Sequence, residues 1–420
     1  MSDLQKSFAK SKLAKLPPEV PMEESNIPED AWESSSATSS VSSSGTAVPS
    51  PTRQLFARAG RQSSQTSLAW TDFFEQELFI PDGVGNLRII HHAYLTPPAE
   101  KGPLFVMHHG AGSSGLSFAT CADEIRKILP KAGILSLDAR SHGRTVTSSL
   151  DTNRTDKSPS TTDAAQSEAT VELDLSLETL SRDLVYVIHQ TQTRMGWQSL
   201  PDMILVGHSL GGAVITDVAK KGELGPKLLA YAVLDVVEGS AIDALQSMDM
   251  YLSTRPTRFP SLQSGIEWHT RSRTIRNTTS ARASVPSLLY EEQDATDASR
   301  PWVWRTNLSA TKPFWENWFV GLSRKFLDAR GGKLLLLAGT DRLDKELMIG
   351  QMQGKYQLQV FPEAGHFVHE DQPVKTAQVL ADFYRRNDRS ALVLPPKVAD
   401  MQASAAMKKG NTAGSSAALK

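Results

Sequence analysis

The sequence predicts an α/β fold: a mostly parallel central sheet with helices on both faces and an inserted cap region. Short, continuously apolar runs alternate with segments of helical periodicity through most of the chain. Such runs are typical of strands that are buried on both faces, as in a parallel sheet. The alternation stops between about 240 and 325, and five tryptophans fall in this interval: Trp268, Trp302, Trp304, Trp315 and Trp318. We interpret the interval as a cap over one end of the sheet.

The predicted strands and helices follow one another along the chain. Strands, some running into loops, are predicted in NLRIIHHAYL, GPLFVMHHGAG, AGILSLDARSHGRT, DMILVGHS, KLLAYAVLDVVEG, GKLLLLAGTDRLD and YQLQVFPEAGHF. Helices are predicted in FATCADEIRKIL, LETLSRDLVYVIHQTQTRM, LGGAVITDVAKK and VKTAQVLADFYRRN. This order of strands and helices is the pattern of a sheet layered between helices.

Low-complexity sequence bounds the folded domain, which we place at 69–392. Residues 1–68 are rich in Ser, Thr, Pro and charge, and residues 393–420 are again low in complexity. Such segments bury too little apolar surface to offset their ordering entropy, so both are predicted to be disordered tails. A similar stretch, 145–170, interrupts the domain and is predicted to be a long surface loop.

Composition excludes several classes of partner. The formal net charge of the 420-residue chain is -1, which gives no global attraction to nucleic acid or to an anionic membrane. No apolar run approaches the roughly 18 residues that span a bilayer, and the first residues lack the apolar core of a secretory signal. Cys121 is the single cysteine, which fits a reducing compartment. We expect an intracellular protein of the cytoplasm, the nucleus or both.

The segment LVGHSLGGAVI places a serine between two glycines where a predicted strand meets a predicted helix. Gly207, Ser209 and Gly211 match G-x-S-x-G, and strand-turn-helix is the context that identifies this motif as a nucleophile elbow. The serine then projects beyond the sheet at a helix N-terminus, where the helix dipole favours developing negative charge. A plain turn or helix cap is the alternative interpretation. The context favours the elbow, so Ser209 is the predicted nucleophile.

A serine hydroxyl is a weak nucleophile and needs a base. His366 follows the last predicted strand in the segment FPEAGHFVHED and is our first choice, and His369 is the second. The third member should be an acid after an intervening strand. Asp235 and Asp341 each end a predicted strand. Residue reasoning alone does not decide between these two acids.

An oxyanion hole needs two backbone N–H groups. Leu210, directly after the predicted nucleophile, supplies one. Ala111 is our choice for the other, because it lies in a strand-to-loop segment, HHGAGSS, that is similar to the HGGG-type loop of esterases. We find no spacing of metal ligands and no phosphate- or dinucleotide-binding glycine motif, so no metal and no cofactor are expected.

Four segments together closely resemble the protein phosphatase methylesterase family: GHSLGGA, AVLDVVEGSAIDAL, HHGAGSSGLSF and LLAGTDRLDKELMIGQMQGKYQLQVFPEAGHFVHED. The resemblance covers roughly 70–390 without the insert, and DVVEG and IGQMQGK are more specific than the elbow. It implies an α/β-hydrolase fold and a triad of Ser209, Asp235 and His366, which decides the choice of acid. The sizes of the tail and the insert suggest a fungal-type member.

The resemblance also implies an activity. Members of the family cleave the methyl ester from the C-terminal leucine of the catalytic subunit of type 2A protein phosphatases. The expected chemistry is acyl transfer through an acyl-enzyme, without a cofactor. The alternatives are a small-molecule carboxylesterase or lipase of the same superfamily and a non-catalytic phosphatase-binding protein on a hydrolase scaffold.

The predicted cap carries a local excess of positive charge. Residues 251–282 contain six arginines against one acid, Glu267. A solvated basic face without a partner is one interpretation. The other is that Arg255, Arg258 and Arg273 help to dock the acidic, aromatic tail of the phosphatase.

Overall fold

The computed structural model describes residues 66–84, 87–149, 173–293, 297–339 and 343–390. Nearly all of the two predicted tails, most of the predicted insert, and Asp341 lie outside these residues. Among the described residues, no helix combines the length and the apolar character needed to cross a membrane.

The strands of the described chain form two sheets. They are β1 (Gln76–Val84), β2 (Leu87–Thr96), β3 (Leu104–His108), β4 (Gly133–Asp138), β5 (Val146–Ser149), β6 (Met203–His208), β7 (Leu228–Leu234), β8 (Arg258–Phe259), β9 (Leu289–Glu291), β10 (Trp302–Trp304), β11 (Gly332–Leu337) and β12 (Gln357–Val360). The main sheet has the order β1-β2-β4-β3-β6-β7-β11-β12, and β5 pairs with β2. From β4 to β12 the neighbouring strands are parallel, whereas β2 pairs antiparallel with β1, β4 and β5.

Helices cover both faces of the main sheet and build much of the cap. They are α1 (Ala119–Ile128), α2 (Leu177–Met195), α3 (Leu210–Lys221), α4 (Glu238–Leu245), α5 (Met248–Thr254), α6 (Leu262–Arg271), α7 (Thr278–Ser284), α8 (Trp315–Phe319), α9 (Leu322–Asp328), α10 (Lys345–Met352), α11 (Val368–Asp371) and α12 (Pro373–Asn387). The sheet separates two apolar clusters, one of which includes residues of α2 and α3 and the other residues of α1 and α12. The predicted layered α/β architecture is therefore confirmed.

The local signals in the sequence explain why the regular elements form where they do. Each apolar run predicted as a strand contains one, and the four predicted helices are present. In α2, for example, Ser176 caps the N-terminus by accepting a hydrogen bond from the Thr179 N–H, and Gly196 ends the helix at a φ of 66°. These are standard start and stop signals.

Two strands of the main sheet were not predicted, nor were the three short strands of the cap. β1 pairs with β2 along its whole length, and β5 adds a short strand beside β2. The expectation of a loop from residue 145 onward is therefore wrong for Val146–Ser149. Its sequence, VTSS, is mostly polar, and it forms a strand only because β2 offers backbone partners far away in the sequence.

The cap has a small core of its own. β8, β10 and β9 form a three-stranded antiparallel sheet, and the buried side chains beneath it include Phe259, Ile266 and Leu289. Trp268 and Trp304 pack edge-to-face with ring centroids 6.0 Å apart at its side.

Trp315 and Trp318 belong to the main core instead. Both are buried in the cluster that contains α2 and α3. The indole N–H of Trp318 donates a hydrogen bond of 2.7 Å to the Leu175 carbonyl oxygen, immediately before α2. The last part of the interval predicted to be cap therefore packs back onto the sheet layer.

Candidate active site

The predicted site residues lie along one edge of the main sheet. Ala111, Ser209, Asp235 and His366 follow the carboxyl ends of β3, β6, β7 and β12 within a few residues. Parallel strands place their carboxyl ends on the same edge, and ligand sites in open α/β sheets form there. The topology therefore gathers residues that are up to 255 positions apart in the sequence (366 minus 111).

The turn at Ser209 has the geometry of a nucleophile elbow. Its backbone is held at φ 52° and ψ -119°, and its N–H donates a 3.0 Å hydrogen bond to the Leu234 carbonyl oxygen. A Cβ on Gly207 would come within 2.2 Å of the Gly211 oxygen, and one on Gly211 within 2.0 Å of the His108 oxygen. Both glycines are therefore required by close backbone contacts.

The acid and the base predicted from the sequence are bonded to each other. His366 Nδ1 lies 2.8 Å from Asp235 Oδ2. Asp235 is 2 % exposed, and its other carboxylate oxygen accepts a 2.8 Å hydrogen bond from the Ala338 N–H. An ionised carboxylate only accepts hydrogen bonds, so the proton is on Nδ1 and His366 Nε2 is left as an acceptor. This tautomer is the one that a general base needs.

His369, the second choice for the base, does not occupy an equivalent position. Its ring is fully buried and stacks on Phe118 with centroids 4.3 Å apart. Among the described residues, neither ring nitrogen has a hydrogen-bond partner. Burial lowers the pKa of His369 well below its usual value, and the neighbouring histidines add to this. The ring packs as a neutral core group.

The loop after β3 touches the elbow and leaves the Ala111 N–H available. A Cβ on Gly110 would lie 3.0 Å from Ser209 Cβ, so the loop touches the elbow. The Gly112 N–H donates to His142 Nε2 at 2.9 Å, and the Ser113 N–H donates to the Gly110 oxygen at 3.1 Å. The Ala111 N–H has no acceptor within the described part of the chain.

Leu210 supplies a second N–H at the same edge. It is the first residue of α3, and the first N–H groups of a helix have no partner within the helix. With Ala111, it offers two donors next to the serine that follows β6. This is the arrangement expected of an oxyanion hole.

Comparison with known proteins identifies the family. Residues 105–379 match the model of the alpha/beta hydrolase family. The chain is 72% identical over 431 residues to protein phosphatase methylesterase 1 of Aspergillus oryzae, a match covering 99% of this chain and 96% of that protein. The chain belongs to the protein phosphatase methylesterase family. It is a carboxylic ester hydrolase with an α/β-hydrolase fold.

More distant relatives and solved structures agree with this assignment. The methylesterase family member of Schizosaccharomyces pombe is 44% identical over 355 residues, covering 82% of this chain and 95% of that protein. The reported relatives are fungal, in line with the prediction from the tail and the insert. The crystal structure of E-2-(acetamidomethylene)succinate hydrolase aligns with a TM-score of 0.53 at 16% identity, covering 74% of this chain and 100% of that chain. That likeness shows the fold alone.

Two side chains that bond to the main chain of His366 or of the residue before it, Gly365, were missed in the sequence. His208, the residue before Ser209, lies with Nε2 2.9 Å from the His366 carbonyl oxygen. Burial and, to a smaller extent, the nearby His366 lower the pKa of His208 to about 3. Asp371 accepts a 2.6 Å hydrogen bond from the Gly365 N–H. In the sequence, His208 stands out only as part of the elbow motif, and Asp371 only as one of two acids after FVH. Neither feature indicates a contact with the His366 turn.

One cluster in this methylesterase has the composition of a metal site. Donor atoms of Asp82, His91 and Asp183 lie within 4.8 Å of one another. Both carboxylate oxygens of Asp183, however, accept 2.9 Å hydrogen bonds from Arg140, and Arg182 donates to it as well. Two guanidinium groups already compensate the negative charge that would attract a cation. We therefore assign no metal to this cluster.

The cap arginines differ in how far they are available to a partner. The Arg255 guanidinium lies 4.1 Å from the centre of the Trp304 ring, and Arg258 forms a 2.7 Å ion pair with Glu292. Arg273 is exposed, and the Arg271 side chain is 82% exposed. The first two arginines thus contribute to the packing of the cap, whereas the latter two face solvent.

Proposed function

We propose that this methylesterase removes the methyl ester from the C-terminal leucine of the catalytic subunit of a type 2A protein phosphatase. The relatives that match it over nearly their whole length are named protein phosphatase methylesterase. The observation that carries the chemistry is the 2.8 Å bond between His366 Nδ1 and Asp235 behind the elbow serine. Together these two facts favour a serine esterase acting on a protein carboxyl ester.

We assign catalytic roles to three residues and two backbone groups. His366 Nε2 takes the proton of Ser209 Oγ as the oxygen attacks the ester carbonyl carbon. Asp235 holds the imidazole in the required tautomer and stabilises its protonated form. The N–H groups of Ala111 and Leu210 bind the oxyanion of the tetrahedral intermediate.

The reaction then proceeds through an acyl-enzyme. Protonated His366 gives its proton to the methoxy oxygen, the bond from this oxygen to the carbonyl carbon breaks, and methanol leaves. Water, deprotonated by His366, attacks the acyl carbon, and Ser209 Oγ leaves with the returned proton. The products are methanol and the free leucine carboxylate, and no cofactor takes part.

The basic surface of the cap is the candidate for docking the phosphatase. Its exposed arginines, Arg271 and Arg273, would attract an acidic tail over a distance. Arg255 and Arg258 were part of the same prediction, but their contacts with Trp304 and Glu292 give them a structural role in addition. We also propose an intracellular location, in cytoplasm, nucleus or both, because the single cysteine, Cys121, is a buried thiol.

The test compares two substrates with the wild-type enzyme. We expect kcat/KM for the methylated phosphatase to exceed that for a short p-nitrophenyl ester by orders of magnitude. Equal or better hydrolysis of the small ester, with the phosphatase left methylated, would instead identify a small-molecule carboxylesterase. Binding of the phosphatase without hydrolysis of either substrate would identify a non-catalytic partner.

A further inference from the structure

We propose that His208 and Asp371 are positioning residues that fix the main chain on both sides of His366. The inference rests on the role of His366 as catalytic base proposed above. Three groups in this turn are held: the Gly365 N–H by Asp371, the His366 carbonyl by His208, and the His366 ring by Asp235. Neither positioning residue contacts the substrate in the proposed mechanism.

His208 acts from the elbow itself. A carbonyl oxygen only accepts hydrogen bonds, so the 2.9 Å contact assigns the proton of the His208 ring to Nε2. The ring is 1% exposed, and its centroid lies 4.6 Å from that of His366. Its other nitrogen, Nδ1, has no partner among the described residues. Within the described part of the chain, the contact with His366 is therefore the single hydrogen bond of the buried His208 ring.

Asp371 acts from the opposite side. Its Oδ2 accepts a hydrogen bond of 2.6 Å from the backbone N–H of Gly365, and its Oδ1 accepts one of 2.7 Å from the backbone N–H of Arg276. The side chain is fully buried, and the Arg276 guanidinium lies 3.6 Å from the carboxylate. The same guanidinium donates to the carbonyl oxygen of Glu363. The turn that contains His366 is thereby linked to the cap through Asp371 and Arg276.

These restraints address a specific weakness of the site. His366 lies in a turn after β12, and 45% of its side chain is exposed, so surrounding side chains do little to hold it. A displacement of about 1 Å in a catalytic group can cost about a hundredfold in rate. Hydrogen bonds to the Gly365 N–H before His366 and to the His366 carbonyl after its ring limit such displacement without contacting the reacting atoms.

The test measures hydrolysis of a small p-nitrophenyl ester by single variants of the full chain. We expect His208→Leu and Asp371→Ala to lower kcat about 10- to 100-fold, with KM changed less than about twofold. His208→Gln should recover most of the lost kcat, because the glutamine amide nitrogen occupies nearly the same place as imidazole Nε2. In the double variant, the fold decrease in kcat should be smaller than the product of the two single fold decreases, because both changes release the same residue, His366.

A spectroscopic readout separates positioning from general support of the fold. In the wild type, the proton between His366 Nδ1 and Asp235 should give a far-downfield NMR signal, assigned by its loss in His366→Ala. This signal should persist in His208→Gln and weaken in Asp371→Asn, because the asparagine amide keeps only one oxygen acceptor where Asp371 uses two. A signal equally intense in wild type and Asp371→Asn, with equal kcat, would contradict the proposal even if the truncated variants fail to fold.

Controls distinguish the failure of this proposal from the failure of the proposed function. His269 is also a buried histidine that donates to a carbonyl oxygen, but within the cap, so His269→Leu should retain wild-type kcat in its folded fraction. If Ser209→Ala or His366→Ala remains active, the triad assignment is wrong. If both are inactive while folded His208→Leu and Asp371→Ala keep more than half of the wild-type kcat, only the positioning role is overturned.

Discussion

The strand ends that carry the proposed triad and the cap that adjoins them differ in how the sequence specifies them. Ser209 and Asp235 come one residue after β6 and β7, and the glycines on either side of Ser209 form part of a recognisable motif. In the cap, Arg258 pairs with Glu292 and Arg255 stacks on Trp304, contacts that span 34 and 49 positions. Residue type and spacing therefore indicate the chemistry at the sheet edge, whereas the role of a cap residue depends on distant partners.

The largest effect should come from the elbow. We expect Ser209→Ala to remain folded and to lose activity by about 10⁶, because it removes the nucleophile and little packing. The measurement is turnover of the methylated phosphatase, with far-ultraviolet circular dichroism as the control for folding. Activity above about one per cent of wild type would contradict the assignment.

The next effect tests the choice between two strand ends. Asp235→Asn should lower kcat by roughly 10⁴, because the amide favours the wrong tautomer of His366. Asp341→Asn is the matched control and should be far milder, although Asp341 itself lies outside the described residues. A more severe loss in Asp341→Asn, with both proteins folded, would reverse the choice of acid.

A stability measurement sharpens the boundary between cap and core. Trp318→Ala should lower the free energy of unfolding by about 3–5 kcal/mol, because a fully packed indole and its hydrogen bond are lost. Trp302 in the small cap sheet is only partly buried, so Trp302→Ala should cost less. Urea unfolding of both variants checks this. Equal losses would contradict the conclusion that Trp318, and not Trp302, packs in the main core.

The smallest effect should come from the exposed charges of the cap. Arg271→Gln with Arg273→Asn should slow demethylation of the phosphatase several-fold at low salt and leave a small neutral ester unaffected. The effect should fade as salt shortens the Debye length below about 8 Å. Asparagine suits position 273, where φ is 59°.

A matched pair of arginines provides the control for this variant. Arg385 and Arg386 lie in the last turn of α12, and the final residue of this helix, Asn387, lies against Gly332 at the amino end of β11, far from the edge that carries Ser209. Arg385→Gln with Arg386→Gln should leave both substrates unaffected. Equal slowing by the two double variants would mean that net charge, and not docking at the cap, sets the association rate.

The sequence predicted the parallel sheet because its strands are nearly continuous apolar runs, and it predicted four flanking helices from their periodicity. It did not predict β5, whose polar residues become a strand only by pairing with β2. At the site, the elbow serine, Ser209, could be predicted from a motif, and the base, His366, from its place after the last strand. The bonds from His208 and Asp371 to the His366 turn could not, because, unlike a helix cap, a side chain that bonds to such a turn has no characteristic residue type or spacing.

The most direct test of the account is the intact mass of methylated phosphatase after single-turnover reaction with the enzyme in heavy-oxygen water. We expect the methyl group to leave as methanol that retains the ester oxygen, and one heavy oxygen to appear in the leucine carboxylate, because water attacks the acyl-enzyme. Ser209→Ala should leave the mass unchanged. Heavy oxygen in the methanol, or a wild-type reaction without loss of the methyl group, would contradict acyl transfer through Ser209.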